Sequence, residues 1–270
     1  MLATWRGEDW AFSAWNDAIR GVDRLRAVDP DDRHGAALHL RRLGASGAGE
    51  MPPAYVRAVF DQYAPRFEKS LVGDLGYRGP ALLLEAIYDV TRATGRPARF
   101  SRALDLGCGT GETTATLAPF VGRVIAVDAS TEMLQEARQR VTGAGNVDLR
   151  RGDLESLPID DHRLDIALVT LVLHHVADPA AALREVARVL KADGRLVLVD
   201  MLPHDRDTYR QQMGHVWLGF SEDQVTGWLA DAGFTDLRLV PLAPDPRAKG
   251  PGLFVATGRV TSPSPTQGDR

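Results

Sequence analysis

Residues 102–111, Arg-Ala-Leu-Asp-Leu-Gly-Cys-Gly-Thr-Gly, read as a buried strand running directly into a glycine loop. Gly107, Gly109 and Gly111 alternate there, and residues without a Cβ let the chain turn sharply and let a ligand approach the backbone closely. A helix predicted from Glu112 aims its first N–H groups into the same space, which suits a nucleotide-like cofactor. The pattern also fits an ordinary strand-to-helix turn, so its neighbours in the sequence must decide.

Beyond a composition change near Gly95-Arg96-Pro97, strands at 103–107, 124–128, 147–151, 164–171 and 195–200 alternate with helices at 112–120, 131–141 and 179–190. Alternation of this kind predicts an α/β fold, a parallel sheet with helices on both faces. The runs 166–173 and 196–199 are continuously apolar, as strands buried on both faces should be. An irregular stretch at 201–220 precedes a helix that starts at Ser221, where Gln224 completes a capping box. Residues 237–240 and 253–259 read as two further strands, one of them antiparallel.

Upstream, Phe12, Trp15, Ile19, Val22 and Leu25, then Ala37, Leu38, Leu40 and Leu43, recur at helical spacing around a break at Asp29-Pro30-Asp31-Asp32. A turn-rich linker at 45–53 leads to helices predicted at 54–71 and 80–93. The expected organisation is a helical N-terminal extension and cap over 1–97, a cofactor-binding domain over 98–260, and a disordered Ser/Pro/Gly-rich tail over 261–270.

With 270 residues, 44% of them hydrophobic and 25% charged, the chain has the balance of a globular protein. A net charge of −4 removes the general electrostatic reason to expect nucleic acid and favours a small-molecule partner. The single cysteine, Cys108, allows no intrachain disulfide and no thiolate metal cage, which points to a reducing cytoplasm. Glu8 and Asp9 interrupt the N-terminal stretch, so neither a signal peptide nor a membrane span is expected. Nothing in the sequence sets the oligomeric state.

Three acidic residues bear on the cofactor, because ligands of a doubly wound sheet sit beyond its C-terminal strand ends. Asp105 lies inside the first strand, where dinucleotide folds carry an apolar residue. Asp128 ends the second strand, 21 residues after Gly107, and suits a ribose. Asp153, in Gly152-Asp153-Leu154, ends the third strand and could accept from an adenine amino group. The dinucleotide fingerprint wants its third glycine where this chain has Glu112.

Gly-x-Gly-x-Gly with Asp105 two positions upstream instead resembles the first motif of class I S-adenosylmethionine-dependent methyltransferases. The resemblance runs over about residues 98–260 through Leu104-Asp-Leu-Gly-Cys-Gly-Thr-Gly111, Val127-Asp-Ala-Ser130, Gly152-Asp153-Leu154 and Leu173-His-His-Val-Ala-Asp-Pro179. It implies a Rossmann-like seven-stranded sheet, mostly parallel with the last strand antiparallel, and S-adenosyl-L-methionine as cofactor. It also implies Asp128 on the ribose, Asp153 at the adenine end, and Gly107 with Asp105 at the methionine end. Cys108, Gly109, Gly111, Ala129, Gly152, Leu154 and Thr170 complete the implied cofactor set. Met133 packs on the adenine in this pattern, or else belongs to a core stripe with Leu134 and Ala137.

Among such enzymes the chain resembles the ubiquinone/menaquinone type. Met51-Pro-Pro-Ala-Tyr-Val-Arg-Ala-Val-Phe60-Asp-Gln-Tyr63-Ala-Pro-Arg-Phe67, with Leu75-Gly-Tyr77-Arg-Gly-Pro80, resembles the entry helices of tetratricopeptide-repeat methyltransferases. Asp200-Met-Leu-Pro-His204-Asp with Gly214-His215-Val-Trp217-Leu-Gly-Phe220 resembles methyltransferases attached to arsenic-repressor-type winged helices.

Methyl transfer is an in-line displacement that needs alignment and dryness more than acid-base work. An oxygen or carbon acceptor also needs a base, for which His174 or His175, just past the fourth strand, and His215 are the candidates. Adjacent in sequence, His174 and His175 are expected to point to different sides. The absence of an Asn-Pro-Pro-Tyr-like stretch there argues against a planar nitrogen acceptor. Tyr63, Phe67, Tyr77, His204 and Trp217 are candidates to line the acceptor space. His204, Asp205 and His215 fit no standard ligand spacing, so no metal is expected. Two other readings stay open: a non-catalytic cofactor-binding or partner-docking protein, and a nucleotide-dependent oxidoreductase.

Overall fold

A computed structural model of the chain describes residues 53–68, 100–243 and 249–261, with isolated positions between 20 and 36. The chain forms two compact units, residues 1–59 and 60–270. In the first, the Asp32 N–H donates to the Asp29 carbonyl at 2.9 Å and the Asp32 carboxylate accepts from the Ala36 N–H, so the predicted break is a capped turn. Helix α1 (Pro53–Glu68) contributes its residues from Phe60 onward to the second unit. The helix predicted at 80–93 and the tail at 262–270 lie outside the described residues.

The second unit is built on seven strands: β1 (Phe100–Leu106), β2 (Val121–Asp128), β3 (Val147–Arg151), β4 (Leu164–Thr170), β5 (Leu190–Met201), β6 (Phe234–Pro241) and β7 (Leu253–Val260). Their order is β3-β2-β1-β4-β5-β7-β6. All pairs are parallel except those made by β7, which runs antiparallel to both β5 and β6. The helices between them are α2 (Glu112–Leu117), α3 (Thr131–Arg140), α4 (Pro179–Val189), α5 (Thr208–Gln212) and α6 (Glu222–Asp231).

Strand periodicity splits each central strand between two cores. Leu104, Leu106, Ala167 and Val169 pack on one face with Leu183 and Val186 of α4 and with Val225 and Leu229 of α6. Ala103, Ile166 and Leu168 pack on the other with Leu117 of α2 and Leu134 of α3. Both faces are therefore dry, which explains the unbroken apolar runs. Fully burying each such aliphatic side chain is worth about 1.5–3 kcal/mol. Leu106 stands level with Val127 on one side and Val169 on the other, so β1, β2 and β4 end together. The chain order reverses between β1 and β4, and their diverging loops open the crevice in which such sheets bind ligands.

The stretch after β5 folds back over the strand end. The Leu202 N–H donates to the Gly252 carbonyl at 2.8 Å, the His204 N–H to the Leu218 carbonyl at 3.0 Å, and the Phe220 N–H to the Met201 carbonyl at 2.9 Å. This packing leaves no room at Gly219, where φ is +79° and a Cβ would fall 2.1 Å from the Leu202 carbonyl oxygen. Directly after it, Ser221 and Gln224 close the predicted capping box of α6. Among the described residues, no helix is long and apolar enough to cross a membrane.

Gly219→Ala should therefore destabilise the protein by more than about 1 kcal/mol, since the residue is both left-handed and in backbone contact. A denaturant midpoint equal to that of the parent protein would contradict this packing.

Candidate active site

The loop after β1 passes through Gly107, Gly109 and Gly111 at φ +66°, +52° and +79°. At Gly107 close approach adds to conformation, because a Cβ would lie 2.2 Å from Cγ2 of Val172 in the turn beyond β4. The N–H groups of Gly107 and Cys108 both donate to the Val127 carbonyl, at 2.8 and 3.0 Å, which ties the loop to β2. Asp128 ends that strand and accepts from the Gly109 and Ser130 N–H groups, each at 2.8 Å. Burial raises its carboxyl above the usual range, and those two N–H groups oppose the rise. Each oxygen retains a lone pair for a further donor.

Asp105 is buried beneath the loop and accepts from the Thr114 hydroxyl of α2 at 2.5 Å. Its pKa is pushed up to about 6, chiefly by burial, with Thr114 pulling it down and Asp128 pushing it further up. Thr170, at the end of β4, has a buried hydroxyl with no partner among the described residues. The Cys108 thiol is buried and raised well above its ordinary range, first by burial and then by Asp128 and Asp105, so it is no nucleophile. Met133 is buried in the first turn of α3, where its N–H donates to the capping Ser130 hydroxyl at 3.1 Å. Beyond β3, the Gly152 N–H donates to the Asp128 carbonyl at 3.1 Å, and the exposed Asp153 accepts from the Glu155 N–H at 3.0 Å. Leu154 packs against the core, half-buried.

On the other side of Val172 lie the histidines. Leu173–His175 is a single 3-10 turn, so the expectation that His174 and His175 point to different sides is corrected. A tight turn offsets neighbouring side chains by about a third of a revolution rather than half, and the two rings stand 4.0 Å apart between centroids. His174 donates from Nδ1 to Asp200 at 2.7 Å, and Asp200, fully buried at the end of β5, also accepts from the N–H groups of Leu173 and Met201 at 3.1 and 2.7 Å. His175 donates from Nδ1 to the Gly214 carbonyl at 3.0 Å. The His215 ring packs 4.3 Å from His174 and 5.0 Å from His175, and its buried Nδ1 has no partner among the described residues. His204 stands 6.3 Å from His215. Burial, with the neighbouring imidazoles adding to it, holds His175 and His215 well below the ordinary histidine range.

Trp217 donates from Nε1 to the Val176 carbonyl at 2.9 Å, and its ring packs with Phe220 and Trp228. Tyr63 and Phe67 belong to α1 but their side chains lie outside the described residues, as does Tyr77 entirely. Two residues of α1 that sequence reasoning passed over do reach the site. Phe60 meets His175 edge-on at 4.7 Å, and Asp61 accepts from the Ser130 hydroxyl at 2.5 Å. Asp200 was also missed, although it carries the same signal as Asp105 and Asp128: an acidic residue at the C-terminal end of a buried strand.

Residues 104–198 match the family described as "Methyltransferase domain". Over this stretch the chain is similar to methyltransferase domains. It is 45% identical over 101 residues to the uncharacterized methyltransferase YcgJ of Bacillus subtilis, covering 37% of this chain and 40% of that one. It is 34% identical over 148 residues to a demethylmenaquinone methyltransferase of Clavibacter sepedonicus, covering 55% and 58% respectively. The chain thus spans about two-fifths to three-fifths of the length of these relatives. The crystal structure of N-methyltransferase NodS from Bradyrhizobium japonicum with S-adenosyl-L-homocysteine has the same fold, with TM-score 0.60 and 18% identity over 77% of this chain and 99% of that one. The residues present fit the methyl-donor cofactor: Asp128 offers two acceptor oxygens at the end of β2, and the buried Thr170 hydroxyl has no partner among the described residues.

Asp128→Ala should weaken S-adenosylhomocysteine binding by about 1.5–3 kcal/mol, the range for a hydrogen bond to a charged group. Calorimetry reads this as roughly a 10- to 150-fold rise in Kd, and unchanged affinity would remove Asp128 from the ribose.

Acid should also destabilise the folded chain. His175, His215 and His204 bind protons less readily folded than unfolded, so the unfolded state gains protons from them as pH falls below 6.5. Asp105 and Asp128 are raised and act the other way, Asp105 between about 6 and 3.8. The histidines outnumber them, so in chelator-containing buffer stability should drop from pH 7 to pH 5. His215→Gln should flatten the slope by up to about 1.4 kcal/mol per pH unit, one proton's worth; equal slopes would mean that His215 titrates normally.

Proposed function

We propose that this chain transfers a methyl group from S-adenosylmethionine to an oxygen or carbon of a small molecule with an aromatic, phenol- or quinol-like ring. The observation that carries the reading is the Asp200-anchored His174, placed across Val172 from the glycine cradle. The demethylmenaquinone-methyltransferase name of the Clavibacter relative supports a ring acceptor.

The cofactor supplies an electrophilic methyl on a sulfonium, and the chain's own groups do the rest. Asp128 orients the ribose through its free lone pairs, and the left-handed glycines of the loop let the methionine end lie against its backbone. Asp200 fixes the His174 tautomer, leaving Nε2 toward the acceptor side, and the proton of the acceptor hydroxyl is drawn off at this imidazole end. Phe60 and the buried walls keep water from competing with the acceptor.

Incubation with methyl-labelled cofactor and a panel of phenols and quinols should put label into an organic product. His174→Gln should lower turnover by about 10²–10⁴-fold, the usual worth of a positioned proton-handling group, while S-adenosylhomocysteine affinity stays within about threefold. Cofactor binding without transfer to any panel member or to a metabolite extract would favour a non-catalytic binding protein.

A further inference from the structure

Sequence spacing separates His174 and His175 from His215 by about forty positions, yet the fold gathers all three imidazoles, with His174 and His215 buried and His175 half-buried. One ring nitrogen from each lies within 4.8 Å of one from each of the others. The hydrogen bonds decide which atoms are available. The Asp200 carboxylate and the Gly214 carbonyl can only accept, so both rings carry a proton on Nδ1, and it is Nε2 of each that can face a ligand. His215 is 1% exposed and its Nδ1 has no partner among the described residues. A buried polar atom without a partner costs about 1–3 kcal/mol, and three imidazole nitrogens brought this close are a ready-made donor set. A cation that accepts nitrogen lone pairs removes this penalty.

We propose that His174, His175 and His215 form a binding site for one divalent transition-metal ion of the zinc type. Three neutral imidazoles with no thiolate suit zinc, cobalt(II) or nickel rather than calcium or magnesium. Asp200 on the outer nitrogen of His174 completes the carboxylate–histidine–metal arrangement that orients a ligating ring. Four-coordinate bonds of ~2.0–2.1 Å set ligand nitrogens roughly 3.4 Å apart, so the rings draw in by about an ångström on loading. Three protein ligands leave a fourth position for water or an acceptor oxygen. His204 stands beside that space with Nδ1 accepting from the Arg206 N–H at 3.2 Å. Its proton therefore sits on Nε2, buried and without an acceptor among the described residues, free to donate to whatever oxygen the ion holds.

The ion's role rests on the methyltransferase reading and refines it: with Nε2 of His174 holding the metal, that ring acts by positioning the ion, and an acceptor hydroxyl bound there would lose its proton at neutral pH to solvent. Its existence does not. Tag-free protein stripped with chelator and titrated with cobalt(II) should take up one ion per chain with the visible absorption of a four-coordinate site, and zinc should displace it. His215→Gln should weaken cobalt binding by at least about 100-fold, and Asp200→Asn by about 10–100-fold through loss of the orienting bond, with far-UV circular dichroism verifying that both fold. Wild-type protein that takes up less than stoichiometric cobalt at micromolar concentration, or a His215→Gln variant that binds as wild type does, overturns the site. Methyl transfer by metal-free protein together with no cobalt uptake would sink the metal and leave the transferase standing. Stoichiometric cobalt with no transfer would do the reverse.

Discussion

Asp200 is the constraint around which the acceptor side is arranged. It is a fully buried carboxylate at the end of β5, and such a group survives only if its lone pairs are filled. Two of its donors are backbone N–H groups, from Leu173 and Met201, and the third is His174. Satisfying Asp200 therefore fixes the turn after β4 and the orientation of one imidazole together. Once His174 is set, its carbonyl accepts from the N–H groups of Val216 and Trp217 at 2.9 and 3.0 Å, which draws the stretch after β5 inward and brings His215 with it. Replacing Asp200 by an apolar residue would free two N–H groups and a ring N–H in a dry space, so the damage would spread well beyond one hydrogen bond.

The two halves of the site are made of different material. The proposed cofactor side is mostly backbone: left-handed glycines, N–H groups aimed at Asp128, and a loop hung on the Val127 carbonyl. Backbone geometry of that kind needs glycine at fixed offsets and an acidic residue at a strand end, and such requirements are visible in a linear sequence. The acceptor side is side chains delivered by separate segments, namely the turn after β4, the end of β5, the stretch at 202–220 and one edge of α1. Their convergence depends on hydrogen bonds such as Val216 to His174, which no local pattern announces.

That difference sets what was legible. The strand at 147–151 and the capping box at Ser221 fall where predicted, because each is decided by neighbours in sequence. β5 begins earlier than its apolar run, at Leu190, because pairing with Leu164 extends the strand through residues whose own propensity is poor. Adjacency alone sets His174 and His175, just past the fourth strand, on different sides, whereas the 3-10 turn that unites them is held by Asp200 on the neighbouring strand. Asp200 itself was within reach of the rule that found Asp105 and Asp128. Phe60 and Asp61 were not, since an aromatic and an acid at helical spacing look the same whether they meet solvent, core or a site.

Charge runs unevenly across the crevice. Asp105, Asp128 and Asp61 gather on the cofactor side, close enough that Asp128 pushes Asp105 upward and Asp61 pushes Asp128. With a pKa of about 6, Asp105 is ionised at neutral pH at the expense of burial and repulsion. A cationic occupant relieves both, so the field there favours a positively charged ligand before any hydrogen bond is counted. Across Val172 the His175 and His215 imidazoles stay neutral and resist protonation. A gradient from anionic to neutral suits a transfer in which positive charge on the donor is consumed as the bond to the acceptor forms. It stabilises the charged ground state of the donor less as the reaction advances, however, so the field contributes binding rather than rate. On the proposed reading, acceleration then comes from alignment and from the acceptor's own activation, which would put the chemical burden on the histidine side.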